Sequence, residues 1–226
     1  MAPLVEPLLL KQVLFHGSWL VWPVIAVLAW RLRSRQWRWL SACALTACLV
    51  FAWARFVEPQ WIRVQDTTLP GTGIHADIAL VSDIHLGVYK DGRATILEGR
   101  LVEDPSGFRW AGLGDRCAGR DGPGFLHATP SPLPTLVLAH QPDSAIELQP
   151  GAATLLLAGH THGGQIRIPW LYRKVIPSRL GFDRGERLLP IPGGQVRTFT
   201  TAGVGEIGLP MRLFNPPTID LLHLRS

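Results

Sequence analysis

The sequence predicts an α/β domain preceded by a two-helix transmembrane hairpin, and three observations carry that expectation. Two apolar segments near the start, VLFHGSWLVWPVIAVLAW (13–30) and WLSACALTACLVFAWA (39–54), are separated by the arginine-rich RLRSRQWR. Beyond them the apolar runs are of strand length, and DIALVS, TLVLA and ATLLLA lead directly into Asp or His. Gly- and Pro-rich turns such as QPGAA and PIPGGQ punctuate this second part, where helical periodicity is thin.

The hairpin occupies residues 1–57, with spans at about 10–30 and 39–57, close to the ~20 apolar residues a bilayer crossing needs. Seven of the nine tryptophans precede residue 62, and Trp30, Trp37, Trp39 and Trp61 fall near the span ends, where amphipathic rings prefer the headgroup region. Arg31, Arg33, Arg35 and Arg38 crowd the connecting turn. Short Arg-rich loops stay cytoplasmic, so the chain is expected in the cell membrane as a multi-pass protein with its C-terminal domain on the periplasmic or extracellular side. The first run ends in charged residues rather than a small-residue cleavage site, which favours an uncleaved anchor over a signal peptide.

Residues 58–76 read as a linker and 77–226 as the folded domain. The net charge of +5 belongs to the hairpin, because residues 58–226 carry 16 basic and 16 acidic groups. The high pI therefore says nothing about nucleic acid, and LYRKVIPSR is too short for a nucleic-acid groove. Its basic residues are assigned to lipid headgroups or a phosphate, which makes membrane lipids an expected partner. Cys117 is the single cysteine beyond the spans, so the domain has no internal disulfide and must be held by packing.

Strands are predicted near 77–82, 108–113, 135–139, 153–158, 196–201 and 218–224, a helix around ATILEGRL (94–101), and a loop over 115–134. At the end of the fourth run, Gly159-His160-Thr161-His162-Gly163-Gly164 sets two imidazoles two residues apart, and the glycines leave room for an ion to approach the backbone. The other two runs end on Asp83 and His85, and on His140. In open α/β sheets ligands gather at strand carboxyl ends, so one site could collect all five groups. Mixed His and carboxylate donors suit Mn, Fe or Zn, and five are more than one catalytic ion uses, which points to two ions.

SDIHLG, LAHQPD, GHTHGGQIRIP and the later TTAGVGEIGLPMRLFNPPTIDLL resemble the calcineurin-like metallophosphoesterases, in particular their bacterial membrane-linked branch, over roughly residues 75–226 with a gap. The resemblance implies a two-sheet sandwich flanked by helices, of which this chain keeps a part. It implies hydrolysis of a phosphomonoester, phosphodiester or pyrophosphate by metal-activated hydroxide, on a phosphate-containing small molecule or a lipid-linked substrate. It also implies that Asp83, His85 and His162 hold one divalent metal and that His140 and His160 hold a second.

The chain departs from that pattern in its middle. Only 54 residues separate His85 from His140, roughly half what the family's strands and helices need, and the domain is expected to be internally shortened between about 100 and 108. The family's Gly-Asn-His block is missing, since the one asparagine is Asn215 in FNPPT, and with it goes the general-acid histidine. Asp115, in FRWAGLGD, is the candidate for the family's bridging carboxylate, the alternative being a turn residue. Without a bridge two cations repel across solvent, so occupancy is expected to fall from two metals towards one. A working phosphoesterase, a catalytically inactive metal-binding or membrane-associated structural protein, and a fragment of a longer enzyme all stay open.

Overall fold

The computed structural model describes residues 12–84 and 96–226; the start of the first span, His85 and residues 94–95 of the expected helix lie outside them. Two helices, Gln12–Arg31 and Arg38–Gln60, form the antiparallel hairpin at the front. At 20 and 23 residues they are about 30 Å long, the thickness of a bilayer's hydrocarbon core. Their apolar side chains, Trp19, Leu20, Val27, Trp39 and Leu49 among them, are exposed instead of packed on the sheets, unlike core helices of a soluble domain.

The domain-side ends of the helices are stitched to each other. The Arg55 Nε donates to Ser18 Oγ at 3.1 Å, its guanidinium lies 4.5 Å from the Phe15 ring centroid, and Phe56 packs on Trp19 and Trp22. They are stitched to the domain as well. Arg212 donates its backbone N–H to the Ala54 carbonyl at 2.8 Å, and the Glu58 Oε1 accepts the Asn215 backbone N–H.

Among the described residues nine strands follow, in two sheets: β1 (Arg63–Leu69), β2 (Ala76–Leu80), β3 (Arg100–Asp104), β4 (Phe108–Gly112), β5 (Thr135–Ala139), β6 (Leu155–Ala158), β7 (Gly185–Ile191), β8 (Gly194–Thr200) and β9 (Thr218–Leu224). The smaller sheet runs β1-β9-β2, with β1 parallel and β2 antiparallel to β9. The larger runs β3-β4-β5-β6-β8-β7, parallel through its middle and antiparallel at both edges.

The continuous apolar runs TLVLA and LLLA are the two central strands β5 and β6, buried on both faces as parallel strands must be. Their alternation splits the core. Leu136, Leu155 and Leu157 pack against Leu222 and Leu224 of the smaller sheet, while Val137, Leu156 and Ala158 face the opposite side with Ala145, Leu148 and Phe182. The result is an α/β fold with two mixed sheets, consistent with a partial phosphoesterase sandwich.

Three elements differ from expectation. Residues 63–69, expected as linker, form β1, an exposed polar strand whose RVQDTTL carries no apolar alternation and which exists through its pairing with β9. The expected helix over 94–101 is absent in its described part: Glu98 bridges to Gly112, Gly99 turns the chain at φ 67°, and β3 begins at Arg100. Backbone pairing to β4 outweighs the helical propensity of a segment too short to nucleate alone. Residues 100–112 form a regular β3–β4 hairpin. Strand β7 was also hidden, because GERLLPI mixes charges and a proline into an edge strand.

Strands β1, β9 and β2 are tied on their exposed face by His223, whose Nε2 and Nδ1 lie 3.0 and 2.9 Å from Asp66 Oδ1 and Asp77 Oδ1, with Arg225 joining Asp77 at 2.8 Å. Hydrogen bonds to Asp66 and then Asp77 raise the His223 pKa above 6.5. A raised histidine pKa adds stability below the unfolded value and loses it as pH climbs through the folded one. The lowered Asp77 pKa, set first by His223 and then Arg225, acts at the other end, adding stability above 3.8 that is lost as pH falls. An NMR titration should therefore place the His223 midpoint above 6.5, with Asp66→Asn and Asp77→Asn each bringing it down.

Candidate metal centre

Asp83, His140, His160 and His162 meet where the carboxyl ends of β2, β5 and β6 converge. The sequence suggested one sheet edge, but β2 belongs to the smaller sheet and β5 and β6 to the larger, so the site lies at the mouth between the two layers. His85 lies outside the described residues.

The four side chains fall into two pairs. The Asp83 Oδ1 is 3.5 Å from His162 Nε2, and both side chains are almost fully buried. His140 Nε2 and His160 Nδ1 are 3.2 Å apart with the rings edge to face, one nitrogen donating to the other. The His160 backbone N–H joins the pairs by donating to Asp83 Oδ2 at 2.9 Å. Among the described residues no three His, Cys, Asp or Glu side chains converge as a ready cluster for one ion.

Local backbone holds these positions under tension. Asp83, His160 and His162 all sit at positive φ, 56°, 69° and 49°, a region side-chain-bearing residues rarely occupy and which concentrates at functional sites. Glycines make the convergence sterically possible. A Cβ at Gly159 would stand 2.6 Å from Asp83 Oδ2, and one at Gly203 would stand 2.8 Å from the same oxygen. Ser82 Oγ also donates to Asp83 Oδ2, at 2.6 Å.

The donor set fits a transition metal. The Asp83 carboxylate sits in a cradle that any larger residue at Gly159 or Gly203 would fill. The His162 Nδ1 faces the Gly205 carbonyl at 3.2 Å, and a backbone carbonyl on one ring nitrogen is the outer-shell contact that orients a ligand imidazole. Burial, and next the charge of His140, lowers the His160 pKa below 6.5, so its ring is neutral and able to ligate near neutral pH.

Asp115 takes a different place. Its Oδ1 accepts from Gln141 Nε2 at 2.7 Å and from the Cys117 N–H at 2.8 Å, capping a short turn at 116–118. Those two bonds, in that order, lower its pKa. Gln141 completes a clasp by accepting the Arg116 N–H, so Asp115 fixes the residue next to His140.

Sequence reasoning gave no role to the residues that hold the turn in place. Arg212 is fully buried and donates to the carbonyls of Ala202, Gly203, Gly205 and Asn215. Asn215, also fully buried, donates from Nδ2 to the His162 carbonyl at 2.6 Å and accepts from Arg184. Gln165 pairs with the backbone of Ile207 and Leu209. The available signal was a lone Arg and a lone Asn inside an otherwise apolar, Gly- and Pro-rich segment, GLPMRLFNPP.

Beside His160 a groove of about 910 Å³ opens, walled by Gln141, Arg116, Asp143, Ser178 and Arg179. Asp143 shapes its far wall by accepting from Ser178 Oγ at 2.6 Å and from the Arg179 N–H at 2.7 Å. This volume is at the upper end of the range for small-molecule sites.

No family profile and no solved structure matches the chain. Curated proteins do. The chain is 31% identical over 140 residues to the uncharacterized metallophosphoesterase YkuE of Bacillus subtilis, covering 62% of this chain and 46% of that protein. It is 36% identical over 117 residues to the phosphodiesterase YaeI of Escherichia coli, covering 52% and 41%. Over 119 residues it is 30% identical to the UDP-2,3-diacylglucosamine pyrophosphatase LpxG of Chlamydia muridarum, covering 50% and 36%. The chain thus spans less than half the length of these relatives. Over the matched stretches it is a distant homologue of the metallophosphoesterases.

Proposed function

We propose that this chain is a membrane-anchored, metal-dependent phosphoesterase. The observation that carries the reading is the division of the four described ligand candidates into Asp83 with His162 and His140 with His160, the same partition between two metals that the family resemblance implies. A divalent pair in such a site supplies Lewis acidity and an activated water for attack on phosphorus.

The chain's own residues do the rest. Asp83, His162 and His85 would hold one ion, and His140 with His160 the other. Gly159 and Gly203 leave room for the Asp83 carboxylate, the Ser82 hydroxyl and the His160 N–H hold it, and Asn215 locks the backbone at His162. The groove beside His160 would receive the phosphate-bearing substrate, with Arg179 on its rim. The two exposed apolar helices would span the bilayer, with the arginine turn at 31–38 on the cytoplasmic side and the site outside. A lipid-linked phosphate suits that placement, and LpxG, whose name denotes action on a diacylated sugar nucleotide, supports this substrate class.

The test is Mn-dependent hydrolysis of an activated phosphodiester by the full chain in detergent. Turnover that His140→Ala removes would support the reading. Metal-dependent turnover that survives His140→Ala, or no turnover by folded protein, would sink it. A second reading is favoured by the Asp115 clasp and the missing Asn-His pair: a relative that binds metal but has lost its chemistry. Mn binding without turnover would select it.

A further inference from the structure

Among the exposed apolar side chains of the domain, one group lies on two joined loops, the second of which borders the hairpin. Trp170 is 85% exposed, Val175 and Phe214 65%, Ile207 56%, Leu171 52% and Leu209 42%, far more than scattered surface apolar residues require. The two loops are one body. The Gln165 amide grips the Ile207 and Leu209 backbones, the Arg167 N–H donates to the Leu213 carbonyl at 2.8 Å, and Ile166 bridges Leu213.

That body is joined to the domain-side ends of the apolar helices. Arg212 and Asn215 bond to Ala54 and Glu58, and a small cavity between the parts is lined by Phe15, His16, Glu206 and Leu209. If the helices cross a bilayer, the plane where they leave it passes these loops. Charge points the same way: Arg173 and Lys174 are exposed between Leu171 and Val175, so cations flank the apolar tip as on peripheral membrane anchors.

We propose that the loops spanning 168–176 and 207–214 seat on an anionic lipid surface as a second membrane contact beside the hairpin. Ile176, Pro177, Ser178 and Arg179 continue directly from the first loop into the wall of the groove next to His160, so this seating holds the groove mouth at headgroup level. An amphiphilic substrate then reaches the groove with its chains still in the bilayer. The inference rests on the proposed membrane-spanning role of the helices and is independent of catalysis.

The experiment uses the full chain in nanodiscs of phosphatidylcholine and phosphatidylglycerol containing a headgroup nitroxide lipid. With Cys43, Cys48 and Cys117 replaced by Ser, a fluorophore is placed at Trp170→Cys or, for reference, at Ser106→Cys in the β3–β4 turn. Quenching at 170 several-fold above that at 106 is expected, falling when Arg173→Glu and Lys174→Glu are added. Equal, weak quenching at both positions in protein that co-elutes with the discs overturns the proposal alone and assigns the patch to a protein partner. Protein that fails to enter the discs overturns the hairpin reading together with it.

Discussion

Asp83→Asn is expected to lower Mn affinity by at least the ~10- to 100-fold that follows loss of an outer-shell partner, because here a ligand candidate itself loses its charge. The substitution is nearly isosteric, and the amide oxygen can still accept the His160 N–H that now comes from 2.9 Å, so the fold of the His160–His162 turn should survive. What disappears is the negative charge opposite His162 Nε2. Calorimetric titration with Mn reads the effect directly. Asp115→Asn is the comparison: its Oδ1 serves Gln141 and Cys117, so it should weaken binding much less. Equal losses from both would make Asp115 the bridging carboxylate, and no loss from Asp83→Asn would remove the metal centre from this position.

Arg212→Ala should be the most destabilising single substitution in the domain, by about 3 to 5 kcal/mol, the range for removing one side of a buried charged network. Arg212 has no exposed surface, and burial lowers its pKa to about 10, with Glu206, Asp83 and Glu58 acting in the opposite direction. Its fork satisfies carbonyls at Ala202, Gly203, Gly205 and Asn215 that no water would reach once the loop closes. Truncation leaves those carbonyls bare and the acidic neighbours uncompensated. A fall in melting temperature on the order of 10 °C is expected by near-UV circular dichroism. Arg212→Lys should recover only part of it, since an ammonium cannot span the same carbonyls. The loop it organises also carries Gly203 and Asn215, so both variants should weaken Mn binding, and an Arg212→Ala protein with unchanged melting would contradict this account.

Legibility followed burial. Strands β5 and β9 were readable to the residue, and β2, β4, β6 and β8 within a few, since each presents an apolar run or alternation that burial on one or two faces demands. Strands β1, β3 and β7 were not readable, being edge strands with polar or charged faces that owe their form to a partner strand, far along the chain for β1 and adjacent in a hairpin for β3 and β7. Of the candidate site, the Asp and His residues and their position at strand ends were visible in the sequence. The clasp of Asp115 on Gln141 was not, because both readings of that aspartate, bridge or turn, fit the same letters.

By itself the sequence determined the apolar hairpin, the central strands and the set of Asp and His residues that end them, because these are local properties of hydrophobicity, period and side-chain chemistry. Only the tertiary structure decided that Asp83 arrives from one sheet and His140, His160 and His162 from the other, and that the hairpin's end is bonded through Glu58 and Asn215 to the turn at His162. Those are contacts between residues up to 157 positions apart, fixed by how two layers close on a shared core and by where buried polar groups find partners.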